Sequence, residues 1–542
     1  MSSFIYTLVI ITVVLSYLTM GVYYLWISLI AFFPKIQRWK ELPYDEEMDI
    51  HFFMVIPCLN EEAVIANTVG SVLEADMKNL RLIVMDDDSR DKTVAVLEEA
   101  FGDIMLSLDD GSPFLPEYSD RKLILVKRKL PNAQKGKGQS LNAAYRLVGE
   151  IIELEGLKPS KCVMGVIDAD TYVRRRVFER TAVIMHAERN VGMVQARIRI
   201  GTHTRDYLLP LGQDIEFFMY LSNMQNVREY TGTVSAAGNG QFNRFSAIDP
   251  EMPWTDCLLE DYDFSLRLLL KGWRTRLLQD DRVYQQGVLT YRRFVRQRSR
   301  WCQGGLQCMS YWGLIKNSPY ISSYGKVELV FFMLLPFITM LAVFNQIISW
   351  FVIMYYLFTD QSIIFELMAP FSTGQLAAVL IIISSIIYLP GVIYGLAYRK
   401  DTKESLLVCL LAGFFQPIYN AFQVPAVIMA IWRQAIGKRS WIKTARYKED
   451  NQTNGTPIRL ALATDVSPVA VAAAVTSPAI IANNKPQLLL NANRNAGRHA
   501  DRKHKCTQCR NFRTFVDDHI LCGKKGPVIP GISCRKYTRQ AS

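Results

Sequence analysis

Four charge-free stretches constrain this chain more than any other feature: residues 4–33, 329–358, 376–398 and 406–432. An α-helix needs about 20 apolar residues to cross a bilayer, and core helices of a water-soluble protein, the competing reading, seldom run so long without a charge. The first stretch lacks the basic start, short apolar centre and small-residue cleavage site of a secretory signal, so a retained anchor is predicted. The chain is expected to be an integral membrane protein.

The charges follow the apolar blocks. Of the 542 residues, 62 are basic and 50 acidic, a net charge of +12. Lys35, Arg38 and Lys40 follow the first block, and Arg433, Lys438, Arg439, Lys443, Arg446 and Lys448 follow the last. Both regions are therefore expected in the cytosol. The basicity reflects topology and contact with the lipid bilayer, and gives no reason to invoke nucleic acid. The loop 359–375 holds acids but no Lys or Arg, which suits the outer face. Basic residues flank the last block on both sides, so it is predicted to be a hairpin or re-entrant segment broken at Pro417 and Pro425.

Between the first two blocks, the short apolar runs 51–56, 81–86, 122–127 and 162–168 alternate with polar loops and helical patterns. That alternation predicts a mostly parallel α/β sheet with its ligands at the carboxyl ends of the strands.

The loops after those strands carry the candidate chemistry. The first holds Asn60, Glu61 and Glu62; the second holds Asp86, Asp87, Asp88 and Ser89. Either alone is an ordinary turn and helix cap, although a carboxylate can also accept an imide N–H. The third, 135–142, sets Lys135 and Lys137 among glycines and reads equally as a solvated basic turn. After the fourth strand stand Asp168 and Asp170, either a surface turn or a pair sharing a hard divalent cation. Glu260, Asp261 and Asp263 open a helical pattern, where the helix dipole by itself favours acids. Gln297-Arg298-Ser299-Arg300-Trp301 lies shortly before an apolar block. With Arg292, Arg293 and Arg296 it forms a lipid-facing amphipathic helix, or else a sugar site: an indole stacks on a sugar face and arginines fork onto a diphosphate.

In this order the motifs resemble those of processive family-2 glycosyltransferases, the bacterial cellulose, β-glucan, hyaluronan, chitin and poly-N-acetylglucosamine synthase group. The resemblance covers about 4–448, with Asp88 where the family has Gly and Leu259 where it has Thr. It implies an α/β GT-A domain, a Rossmann-like mixed sheet in the cytosol, attached to an α-helical transmembrane bundle in a bacterial inner membrane. By the resemblance, Asn60, Glu61, Asp86, Asp87, Lys137, Asp168, Arg298 and Arg300 bind a UDP-sugar. Asp168 and Asp170 hold Mg2+ or Mn2+, Asp261 beside Glu260 is the general base, and Trp301 with Gln297 meets the acceptor. The loop 237–242 resembles the family's glycine-containing loop beside the acceptor and receives no catalytic role.

The implied reaction is a single inverting displacement that builds a β-linked polysaccharide, with UDP-glucose and a β-glucan favoured, and passes the nascent chain through the membrane helices. Poly-N-acetylglucosamine or hyaluronan-like synthesis from UDP-GlcNAc, and a non-processive glycolipid transferase, are the enzymatic alternatives. A transporter or scaffold carrying a degenerate domain is the non-enzymatic one. A homo-oligomer or accessory secretion subunits remain open as partners, and no module for cyclic-di-GMP is apparent after the last span.

The expected organisation is an anchor at 1–40, the transferase domain at 41–312, a membrane channel at 313–448, a disordered linker at 449–500 and a Cys-rich tail at 501–542. Six cysteines look scattered, as for reduced packing positions, whereas Cys506, Cys509, Cys522 and Cys534 cluster in the tail. The cluster predicts a structural zinc site, with iron–sulfur, disulfide or unligated thiols as alternatives.

Overall fold

The computed structural model describes residues 33–359 and 388–438 apart from 34, 38, 205, 360, 390 and 394, together with 372, 374, 447 and three short strands within 512–528. The anchor stretch up to residue 32, most of the block 376–398, the linker 449–500 and Cys506, Cys509 and Cys534 lie outside the described residues.

An eight-stranded sheet forms the centre. Its strands are β1 (His51–Cys58), β2 (Leu80–Asp86), β3 (Met105–Asp109), β4 (Leu123–Lys127), β5 (Cys162–Val166), β6 (Val191–Ile200), β7 (Gln241–Arg244) and β8 (Arg274–Gln285), in the spatial order β3-β4-β2-β1-β5-β7-β6-β8. All pairs are parallel except those made by β7, which runs antiparallel to β5 and β6. The four strands predicted from sequence are β1, β2, β4 and β5.

Their continuous apolar runs are explained by burial on both faces. Phe52, Met54 and Ile56 of β1 join one core with Leu82, Val84 and Phe178, while Phe53 and Val55 join a second with Ile83, Met85 and Val148. Helices α1 (Ile65–Leu73) and α4 (Arg175–Ala187) cover the first face; α3 (Lys137–Leu154) and α7 (Glu260–Leu270) cover the second. Helix α2 (Thr93–Phe101) lies between β2 and β3 in the chain. The helices α5 (Leu208–Phe218) and α6 (Met224–Thr231) are joined by a π-helical turn, Met219–Asn223.

Beyond the sheet come α8 (Tyr291–Cys308), α9 (Trp312–Asn317), α10 (Ser323–Thr359), α11 (Leu406–Phe414) and α12 (Gln416–Ala435). Within α10, Ser323–Asn345 has 23 residues, contains an 18-residue window of mean hydropathy 2.4, and is long and apolar enough to cross a bilayer. Leu406–Phe414 and Ile418–Ala435 meet at 45° and qualify together if they act as one span. The break falls at Phe415, just before Pro417, while Pro425 continues inside α12. Among the described residues there is thus one such helix, or two; the other segments of the expected bundle lie wholly or mostly outside them.

Arginines tie this region to the sheet. Asp401, in the helical stretch 395–402, accepts from Arg197 Nη2 at 2.5 Å, Arg199 Nη1 at 2.8 Å and Arg282 Nη1 at 2.6 Å. Arg197 and Arg282 are brought opposite each other by a register shift: Ala196 pairs with Leu278 but Arg197 pairs with Arg282.

In the tail, β9 (Phe512–Val516), β10 (His519–Cys522) and β11 (Gly526–Val528) form an antiparallel sheet with Cys522 at a strand end. The expected metal site falls otherwise outside the described residues.

Candidate active site

A cavity of about 280 Å³ opens at the carboxyl ends of β1, β2 and β5. The strand ends and the loops after them bring in Glu61, Asp87 and Asp168; the starts of α3 and α7 bring in Lys137, Glu260 and Asp261; α8 brings in Gln297, Arg300 and Trp301. Nine residues singled out from sequence therefore share one wall. On α8, positions 297, 300 and 301 stand at the three- and four-residue spacing that puts side chains on one helix face.

The polar groups are packed closely. Lys137 Nζ donates to Asp168 Oδ1 at 2.6 Å and to the Gly238 carbonyl at 2.7 Å, and stands 4.0 Å from Glu260 Oε1. Gly238 has φ +71°, and a Cβ there would lie 2.7 Å from Asp261 Oδ2, so the glycine lets the backbone pass against the acid. Asp261 Oδ1 accepts from the Tyr262 amide at 2.7 Å. Its position in the first turn of α7 favours a negative charge, yet burial and the adjoining Glu260 push its carboxyl up to about 7. It can therefore both take and release a proton near neutrality. Arg300 also faces the cavity, and no carboxylate forms an ion pair with it among the described residues.

Residues 53–249 match the family described as glycosyl transferase family 2, and residues 164–366 match glycosyl transferase family group 2. The chain carries a family-2 glycosyltransferase domain. Its mixed sheet is of the GT-A kind. A β-monoglucosyldiacylglycerol synthase of Trichormus variabilis is 29% identical over 267 residues, covering 48% of this chain and 50% of that protein. The chain thus spans about half the length of that relative. A probable glycosyltransferase, YdaM, of Bacillus subtilis is 25% identical over 432 residues, covering 77% of this chain and 90% of that protein. The solved mannosyltransferase PcManGT from Pyrobaculum calidifontis, in complex with GDP-Man and Mn2+, superposes with a TM-score of 0.46 at 14% identity, covering 79% and 99% of the two chains.

Four expected ligands of the transferase domain stand outside the cavity wall. Asn60 organises the loops instead: at φ +51° its Oδ1 accepts from the Arg90 amide at 2.7 Å while its own amide donates to Ser89 Oγ at 2.8 Å. Asp86 is turned inward, accepting from the Ser89 amide at 3.2 Å, and burial raises its pKa. Asp87, on the opposite side of the extended chain, reaches the cavity, and Arg128 pairs with it. Asp170 accepts from the Gln286 amide at 3.0 Å, so the expected pair of metal ligands is met at the cavity by Asp168 alone. A carboxylate at the cavity is a ligand type that suits a hard cation such as Mg2+ or Mn2+.

Arg298 is the main correction. It is 2% exposed, bonds Glu216 through Nε at 3.0 Å and Nη2 at 2.5 Å, and lies 4.2 Å from the centre of the Trp301 ring. It supports the indole from outside the donor cavity. Position 88 resolves another departure from the family: Asp88 adopts φ +65°, the conformation for which a Gly would be used, and one that Asp tolerates better than most residues.

Sequence reasoning missed several parts of the cavity wall. Glu216 and Phe217 of α5, Leu221 of the π-helical turn and Gln285 at the end of β8 all line the cavity. Asn239 holds two of its walls together, its Oδ1 accepting from the Asp168 amide at 3.3 Å and Thr171 Oγ1 at 2.9 Å. Only the acids Asp214 and Glu216, set in an otherwise apolar helix, could have signalled that α5 takes part.

Trp301, Leu259 and Glu216 also border a second cavity of about 150 Å³. Its remaining wall comes largely from Phe332, Met333, Leu335, Pro336 and Met340 of α10 and Val424 and Val427 of α12.

Proposed function

We propose that the chain is an inverting transferase that moves a hexose from a UDP-sugar to a lipid hydroxyl at the cytosolic face of a membrane, giving a β-glycolipid. The observation that carries this reading is Asp261: a buried carboxyl near its titration midpoint at neutral pH, facing the same cavity as Lys137, Asp168 and Arg300. In this reading the acceptor hydroxyl gives its proton to Asp261 while its oxygen attacks the anomeric carbon from the face opposite UDP. The C–O bond to the diphosphate breaks as the new bond forms, so one displacement turns an α-linked donor into a β-linked product. Lys137 and Arg300 supply positive charge for the departing diphosphate. A divalent cation held at Asp168 would neutralise that diphosphate further.

Two observations favour a lipid acceptor. The second cavity meets the first at Trp301 and is walled by aliphatic and aromatic side chains of α10 and α12, a lining suited to an acyl chain. The relative from Trichormus variabilis is named for a glucosyl-diacylglycerol product. Processive synthesis of a β-linked polysaccharide is the second reading, supported by the Gln297–Trp301 motif beside an apolar helix.

Purified full-length protein in detergent, given single radiolabelled UDP-hexoses, Mg2+ or Mn2+ and diacylglycerol, is expected to release UDP and move label into the organic phase as a β-glycoside. Label retained in a polymer that β-specific hydrolases digest would establish the second reading. No UDP release with any donor would remove both.

A further inference from the structure

We infer that Cys257 and Cys308 form a modification site for small-molecule disulfides, and that the bond they make locks the segment leading into Asp261 onto the helix that carries Trp301. The two cysteines are 51 positions apart in the chain, yet their sulfurs lie 3.8 Å apart. They were expected to be scattered packing residues.

Cys257 is half-buried and Cys308 buried, so a reagent from solvent meets Cys257 first. The segment bearing Cys257 already rests on α8. The Leu258 amide donates to Gln307 Oε1 at 2.9 Å, and a Cβ at Gly304 would run into Leu259. The carboxylate of Asp263 lies beside the pair, and the three ligand atoms fall within 4.8 Å of one another. Asp263 Oδ2 already accepts from both Arg267 at 3.0 Å and Thr255 at 2.9 Å, which fixes that carboxylate as an acceptor for its own neighbours. The chemistry left to the site is that of a dithiol.

The exchange proceeds in two balanced steps. The Cys257 thiolate attacks one sulfur of the small-molecule disulfide, forming a mixed disulfide and expelling one thiolate. Cys308 then loses its proton and attacks Cys257 Sγ, expelling the second; two protein thiols are oxidised and one reagent disulfide is reduced to two thiols. A disulfide bond is about 2.05 Å long, so the sulfurs must approach by roughly 1.7 Å from their present 3.8 Å. Because α8 is a packed helix, the shorter segment 257–261 takes up much of the movement. Displacing a catalytic group by about 1 Å can cost ~100-fold in rate.

The test uses the full-length protein in detergent, treated with glutathione disulfide. Peptide mapping is expected to find a Cys257–Cys308 link, with UDP release falling at least ~10-fold and returning after dithiothreitol. Cys257→Ser is expected to stay active through the same treatment, and Cys302→Ser to remain sensitive. The inference is overturned by absence of the link, by a link with full activity, or by loss of activity in Cys257→Ser equal to that of the unsubstituted protein. It is equally overturned if Zn2+ is ligated by both thiols and so protects them from the reagent. Mapping does not depend on the proposed reaction, so a protein that forms the link but releases no UDP would count against the transferase reading alone.

Discussion

The guanidinium of Arg298 lies 4.2 Å from the centre of the Trp301 ring, and its charge is met by the buried carboxylate of Glu216. The aromatic wall between the two cavities is therefore held by an ion pair whose carboxylate lines the larger cavity while its arginine does not.

Arg298 and Arg300 should consequently fail in different ways. Removing one partner of a buried ion pair costs about 3–5 kcal/mol, so Arg298→Met should lower the melting temperature together with activity. Arg300→Ala should melt like the unsubstituted protein and raise KM for the UDP-sugar. Thermal unfolding and donor titration on both variants check the contrast; equal melting temperatures would refute it.

Asp261→Asn should lower kcat by about 10²–10⁴-fold, the usual contribution of a positioned general base. Donor binding, read by UDP displacement, should change little.

The pH dependence follows from the same acid. A base must be deprotonated to act, so kcat/KM should rise with pH through about 7. The nearby Glu260 raises the Asp261 pKa, and Glu260→Gln should therefore move the rising limb to lower pH. Stability runs the other way: a carboxyl whose folded pKa lies above its unfolded value of 3.8 favours the fold at low pH and loses that contribution as pH rises towards about 7. Asp261→Asn should lose less stability than the parent protein across this window.

Asp88→Gly should be neutral or stabilising, by up to about 1 kcal/mol, because a left-handed backbone costs a non-glycine residue about that much. Chemical denaturation measures it, and a marked loss of stability would show that Asp88 makes a contact worth more than its strain.

Much of this was legible in the chain. Strands β1, β2, β4 and β5 announced themselves as apolar runs because both their faces are buried, and acids followed the ends of β1, β2 and β5 while lysines followed β4. The edge strand β3 mixes half-buried and exposed residues and gave no comparable signal. The error at Arg298 was avoidable. Two positions along a helix rotate a side chain by about 200°, so Arg298 and Arg300 cannot face the same ligand, whereas Gln297, Arg300 and Trp301 can. Asp86 and Asp87 follow the two-residue alternation of extended chain in the same way. The partners of Glu216 could not be foreseen, since Arg298 and Tyr419 lie 82 and 203 positions away.

The slipped pairing between β6 and β8 has a consequence for engineering. Residues 279–281 look dispensable, because removing them would let the two strands pair without interruption. Yet the surplus supplies partners of its own: the Gln279 carbonyl accepts from Arg197 Nη1 at 3.2 Å, and Asp280 accepts from Arg180 Nε at 3.1 Å. A tidier sheet would keep Arg197 opposite Arg282 but strip a carboxylate from Arg180 and a carbonyl from Arg197, so the flaw in the ladder is what braces the arginines on either side of it.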